Sequence, residues 1–170
     1  MIASDVRDIM VPLENYPQVH EDATLRDAFA ALRAGAEAGR FYRHVLVLNQ
    51  HEQLIGMIGM RNLLRGLFPD YLRADEHSRF EGASSDVAGL AMLWRETCRE
   101  QCQVAGTNRV RDFMSEVKAT IAIDAPVTLA AYLMVSRGVS MLPVIEKDRV
   151  VGACRLPDVF NEASEVVLHD

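Results

Sequence analysis

No run of apolar residues comes near the roughly 18 needed to cross a bilayer, so no membrane span is expected. The first residues lack the apolar core of a signal peptide, which points to a cytoplasmic protein. Basic blocks are also missing. The 170-residue chain carries a formal net charge of −6, with lysine only at Lys118 and Lys147. That balance argues against nucleic acid as the main partner. Cysteine is scarce and odd in number, three in all, which reads as free thiols in a reducing compartment. Cys98 and Cys102 stand one helical turn apart with His77 nearby in sequence. A metal site needs more ligands than these, so no metal is expected and helical packing is the simpler role. No nucleophile–base spacing and no Gly-rich phosphate loop occurs, so the chain is not read as an enzyme.

What is present is a sequence order that occurs twice. Val6-Arg7-Asp8-Ile9-Met10 opens one copy and Val110-Arg111-Asp112-Phe113-Met114 the other. Met10 and Met114 are 104 residues apart, Asp22 and Asp124 are 102 apart, and Gly56 and Gly152 are 96 apart. Beyond Asp22 the offset shrinks at Gly35–Arg40 and at Asn49–Gln53, a helix end and a hairpin turn, where extra residues are best tolerated.

The first copy reads as a short helix capped by Ser4 and broken by Pro12, an extended piece at Tyr16–His20, and a helix capped by Thr24. Leu25, Ala28, Phe29 and Leu32 give that helix one apolar face, and Gly35 and Gly39 offer stops. A hairpin at His44–Leu48 and Leu54–Ile58 and a helix at Asn62–Leu67 close the copy. The second copy repeats this with a short β run at Ala119–Ile123, a helix from Val127 to a stop at Gly138, and the strand pair Met141–Ile145 and Val150–Cys154. A last helix begins near Pro157. Pro143 places its strand at a sheet edge or with its N–H position facing a gap. Between the copies, Arg73–Gly82 reads as a loop. Val87, Leu90, Ala91, Trp94, Cys98 and Cys102 then form one face of an inserted helix.

The β-α-β-β-α order opened by V-R-D-x-M resembles the cystathionine β-synthase (CBS) domain, and two such copies resemble a CBS pair, or Bateman module. The fold class is therefore α/β, two repeats related by a pseudo-twofold with a helical insertion. The divisions are 1–67 for the first repeat, 68–107 for the linker with its helix at about 85–103, 108–163 for the second repeat, and 164–170 for a loosely held tail. The resemblance implies a regulatory module that binds an adenine nucleotide (AMP, ADP or ATP) between the repeats, forms homodimers and signals to an effector protein. The alternative is an interaction or dimerisation module without a ligand.

In the family, Gly-x-x-Thr/Ser-x-x-Asp follows the last strand and its Asp holds the ribose hydroxyls. The second copy reads Gly152-Ala153-Cys154-Arg155-Leu156-Pro157-Asp158, which keeps the Asp and replaces the hydroxyl by Arg155. The first copy reads Gly56-Met57-Ile58-Gly59-Met60-Arg61-Asn62, with Asn62 for the Asp. The resemblance thus implies a site of Gly152, Cys154, Arg155 and Asp158, with Thr120, Met114 and Met141 along an adenine slot. Arg43, His44, Arg61 and Asn62 stand at the other copy's cleft. Asp158 also suits the first turn of a helix without any ligand, the arginines suit a solvated surface, and the methionines suit a core. At most one nucleotide per chain is expected, on the Asp158 side.

Overall fold

The protein is described by a computed structural model over residues 5–69 and 85–168. Thr24 caps α2 (Leu25–Glu37) through a reciprocal pair of bonds. The Asp27 amide donates to Thr24 Oγ1 at 3.3 Å and the Thr24 amide donates to Asp27 Oδ2 at 2.8 Å. The Thr24 amide, and then its hydroxyl donating to the same oxygen at 2.8 Å, hold the Asp27 carboxyl below its ordinary range, and the reciprocal pair satisfies two N–H groups that the helix leaves without partners. The apolar face Leu25, Ala28 and Leu32 is buried as its spacing requires. It packs on a three-stranded sheet of β2 (Gln18–His20), β3 (His44–Leu48) and β4 (Leu54–Gly59), with β3 in the middle. Val45 to Leu48 are all buried, as suits a central strand of near-continuous Val and Leu. α3 (Met60–Leu67) follows directly.

The second copy builds the same layers. β5 (Ile121–Ala122) lies parallel to β6 (Met141–Glu146), which pairs antiparallel with β7 (Arg149–Arg155). α5 (Val127–Arg137) ends at Gly138, whose φ of 62° is the left-handed turn expected of a glycine stop. α6 (Leu156–Leu168) closes the copy.

Each copy lends its opening segment to the other. α1 (Val6–Ile9) docks on the second copy, with the Val6 amide donating to the Ala125 carbonyl at 2.8 Å and that of Arg7 to Ile123 at 3.0 Å. β1 (Val11–Pro12) then joins the far edge of β7, so the second sheet runs β1-β7-β6-β5. In return, Ser115 and Met57 exchange two backbone bonds of 2.8 and 3.0 Å across the edge of β4, and the Val110 amide donates to the Ala23 carbonyl at 2.9 Å. The two cores interlock in the same way. Met141, Val150 and Ala153 of the second copy sit in the cluster built on Leu25 and Leu46, while Val6 sits in the cluster built on Leu142 and Val144.

Several local expectations are corrected. Gly35 is not a helix stop; α2 runs through it, and the Tyr42 ring occupies the space of a Cβ, which would lie 2.7 Å from Tyr42 Cδ2. Gly39, at φ 75°, takes the left-handed turn beyond the helix end. Strand β6 is internal rather than at an edge. The parallel ladder with β5 starts only at Val144, so Pro143 lies just beyond it, which is the gap that a missing N–H tolerates. The predicted run at Ala119–Ile123 shrinks to two residues in β5. The tail is helical to Leu168, with Val167 and Leu168 exposed. Arg73–Gly82 lies outside the described residues.

The inserted helix α4 spans Ser85–Ala105. The side chains of Val87, Leu90 and Ala91 lie outside the described residues. Those of Trp94, Cys98 and Cys102 are half-buried, and Trp94 meets Phe68 edge-to-face at 5.2 Å, so α4 packs on the α3 side of the first copy. Cys98 and Cys102 are free thiols with sulfurs 3.4 Å apart. His77 lies outside the described residues. Among those described, no group of three His, Cys, Asp or Glu could hold a metal, and no helix is long and apolar enough to cross a membrane.

Candidate functional site

Two cavities adjoin between the copies, on either side of one wall. Arg43 and His44, where β3 starts, and Ser140 and Met141, where β6 starts, line both. The two strands occupy equivalent places, since His44 lies opposite Gly59 and Met141 opposite Arg155 in their hairpins. The pseudo-twofold therefore passes between them.

The larger cavity, about 650 Å³, carries Arg43, Arg61 and Lys118 against one carboxylate, Glu116. His44 adds no charge at neutral pH. Burial, and then the Arg43 guanidinium beside it, hold its imidazole below the ordinary range. Asn62 lines this cavity but is already engaged, its Nδ2 donating to the Phe113 carbonyl at 3.0 Å and to Ser115 Oγ at 3.2 Å. It pins the second copy's opening segment to α3.

The smaller cavity, about 370 Å³, is mostly apolar: Tyr16, Phe41, Met141, Leu156, Pro157 and Phe160, with Arg155 among them. Phe41 and Phe160 are widely exposed at its mouth. Arg155 forms a two-pronged pair with Asp158, Nε to Oδ2 at 2.7 Å and Nη2 to Oδ1 at 2.5 Å. Its guanidinium also lies 5.5 Å over the ring of Tyr42, whose hydroxyl donates to the Asn15 carbonyl at 2.7 Å. Tyr16 stacks edge-on against Tyr42 at 4.8 Å. Burial pushes the Tyr16 hydroxyl well above its usual range, only partly offset by Arg155, so Tyr16 stays neutral.

The eleven sequence-nominated residues divide clearly. Arg43, His44 and Met141 line both cavities, Arg61 and Asn62 the larger and Arg155 the smaller. Asp158 lines neither, and both its carboxylate oxygens accept from Arg155. Four others also line neither. Gly152 is turned to the crossing strand, where a Cβ would overlap the Val11 carbonyl oxygen. Cys154 is fully buried core, its thiol pushed up to about 12 chiefly by burial. Met114 packs over Gly56, and Thr120 is exposed. For Gly152 and Cys154 the reason is geometric: residues inside an interior strand of a packed sheet cannot also face a cleft at its end. Sequence reasoning missed Tyr16, Phe41, Tyr42, Phe160 and Lys118. The signal available was position, since Phe41-Tyr42 immediately precedes Arg43-His44.

The sequence model of the CBS domain matches residues 6–68 and 110–165. Among solved structures, the CBS-pair protein CBSX2 from Arabidopsis thaliana is similar at 16% identity and a TM-score of 0.64, over 99% of each chain. CBSX2 in complex with AMP is similar at 19% identity and 0.62, over 97% of this chain and 99% of that one. The cytosolic domain of the Mg2+ channel MgtE in complex with ATP is similar at 20% identity and 0.61, over 93% of this chain and 48% of that one. At these identities the likeness is one of fold.

Proposed function

Because the chain belongs to the CBS-domain family, we propose that it is a regulatory module that binds an adenine nucleotide between its two repeats and passes the change to a partner. The observation that carries this is the joined pair of cavities, one apolar and aromatic, the next bearing three cations. A flat base and its ribose suit Tyr16, Phe41, Pro157 and Phe160. A phosphate chain leaving them meets Arg43 first and then Arg61 and Lys118, with the guanidinium groups suited to two-pronged phosphate contacts. CBSX2 with AMP and the MgtE domain with ATP bind such ligands on the same fold. No bond-breaking step is assigned. The asymmetry of Asp158 and Asn62 makes one nucleotide per chain the reading.

A thermal-shift panel of adenosine, AMP, ADP, ATP, S-adenosylmethionine and cyclic dinucleotides tests it. A ligand at about 100 times its Kd stabilises by about 2.7 kcal/mol, a rise of about 5–11 °C for a chain of this size. ATP is expected to act at the lowest concentration, since it alone spans all three cations. No shift with any compound leaves the second reading, an interaction module without a ligand.

That reading shares one feature with the first, a homodimer. Leu129, Tyr132 and Val135 are exposed on α5, Phe160 and Val167 on the α6 that contacts it, and α5 carries no charge before Arg137. A helix whose outward face carries large apolar residues suits an assembly, and the patch is costly in water. Light scattering is expected to give twice the chain mass, and Val135→Glu to give the monomer. A monomer at high micromolar concentration in the unaltered protein would count against it.

A further inference from the structure

The carboxylate expected to hold a ribose does not face the cavity; a guanidinium does. Asp158 is 16% and Arg155 24% exposed at the side chain, and both Asp158 oxygens accept from Arg155, at 2.7 and 2.5 Å. Asp158 lines neither cavity while Arg155 lines the smaller one, so a vicinal diol bound there meets the guanidinium before it meets those oxygens. Arg155 itself lines the smaller cavity and is held from its other side by the Tyr42 ring of the first copy. The matching position of the first copy is Gly59, which has no side chain to engage a carboxylate.

We infer that Arg155 is a built-in competitor for the ribose position: a ligand diol binds Asp158 only by displacing the guanidinium, which then turns to the ligand's phosphate. This rests on the nucleotide reading above. Two consequences follow from the geometry. Nucleosides without phosphate bind poorly, because they break the Arg155–Asp158 pair and return nothing to Arg155. Nucleotides bind better because they exchange one charged partner of Arg155 for another. The exchange also loosens Arg155 from its place between Asp158 of one copy and Tyr42 of the other, so ligand arrival is felt across the repeat boundary.

Calorimetry with adenosine, 2′,3′-dideoxyadenosine and AMP on the full chain tests this, comparing the unaltered protein with Arg155→Ala and Arg155→Lys. Arg155→Ala is expected to bind adenosine about tenfold more tightly, the net worth of one hydrogen bond to a charged group. Dideoxyadenosine should show no gain, and AMP a smaller gain, since its phosphate loses Arg155. Arg155→Lys, which keeps the charge without the fork, should fall between; it decides the matter if Arg155→Ala does not fold. Adenosine binding unchanged or weakened in both variants, with AMP still bound by the unaltered chain, would overturn the competitor role and leave the nucleotide reading standing. Failure of every adenine compound to bind any of the three proteins would remove both.

Discussion

Residues 108–163 alone will show no cooperative unfolding transition under conditions where the whole chain melts sharply. A unit of this size buries only about 60% of the surface its unfolded chain exposes, which leaves it marginal even when complete, and this one is not complete. Its sheet borrows β1 from the first copy, with Val11 opposite Ala153 and Pro12 opposite Gly152. Its core borrows Val6, which is fully buried. Its own Met141, Val150 and Ala153 are buried in the first copy's cluster, so cutting the chain exposes them. The free edge of β7 would also invite pairing between molecules. Circular dichroism through a thermal ramp reads the result. A cooperative transition at the temperature of the intact chain would show that the exchange of segments is ornamental.

Gly152→Val is expected to be among the most damaging single substitutions, costing about 3 kcal/mol, the upper range for overpacking, and lowering the melting temperature by about 6–12 °C. The cause is not glycine's backbone freedom. A Cβ at Gly152 would overlap the Val11 carbonyl oxygen, and that atom belongs to a paired strand that cannot step back without giving up the crossing. Gly56, the matching residue 96 positions earlier, faces the crossing from the other side. There a Cβ would meet Met114 Sδ at 2.8 Å and the Ser115 carbonyl oxygen at 3.0 Å. The thioether can move, so Gly56→Ala should cost less than Gly152→Ala. Differential scanning calorimetry on the two alanine variants and the valine variant ranks them. Equal small losses at both sites would mean that the crossings are loose.

Gly56 and Gly152 share one requirement. The repeat matched them, and the resemblance placed Gly152 beside a nucleotide, yet what each needs is room for the other copy's backbone. One-dimensional spacing can say that a position lacks a side chain. It cannot say which remote segment fills the space.

The division between sequence and tertiary structure follows from the range of the forces involved. Helix faces such as Leu25, Ala28 and Leu32, the Thr24–Asp27 cap, the Gly138 stop and the two hairpins are set by residues a few positions apart. All were therefore legible from periodicity and local chemistry. The repeat made the α/β pair legible too, because two copies of one incomplete unit must bury their faces on each other. The site was legible only in part. Arg43, His44, Arg61, Asn62 and Met141 stand where the ends of strands and the starts of helices converge, positions the order of elements dictates. The exchange of α1 and β1, the aromatic wall of Tyr16, Phe41 and Phe160, and the seating of Arg155 over the Tyr42 ring were decided by tertiary structure alone. Each depends on a contact between residues far apart in the chain, or on a rotamer chosen by the space those contacts leave.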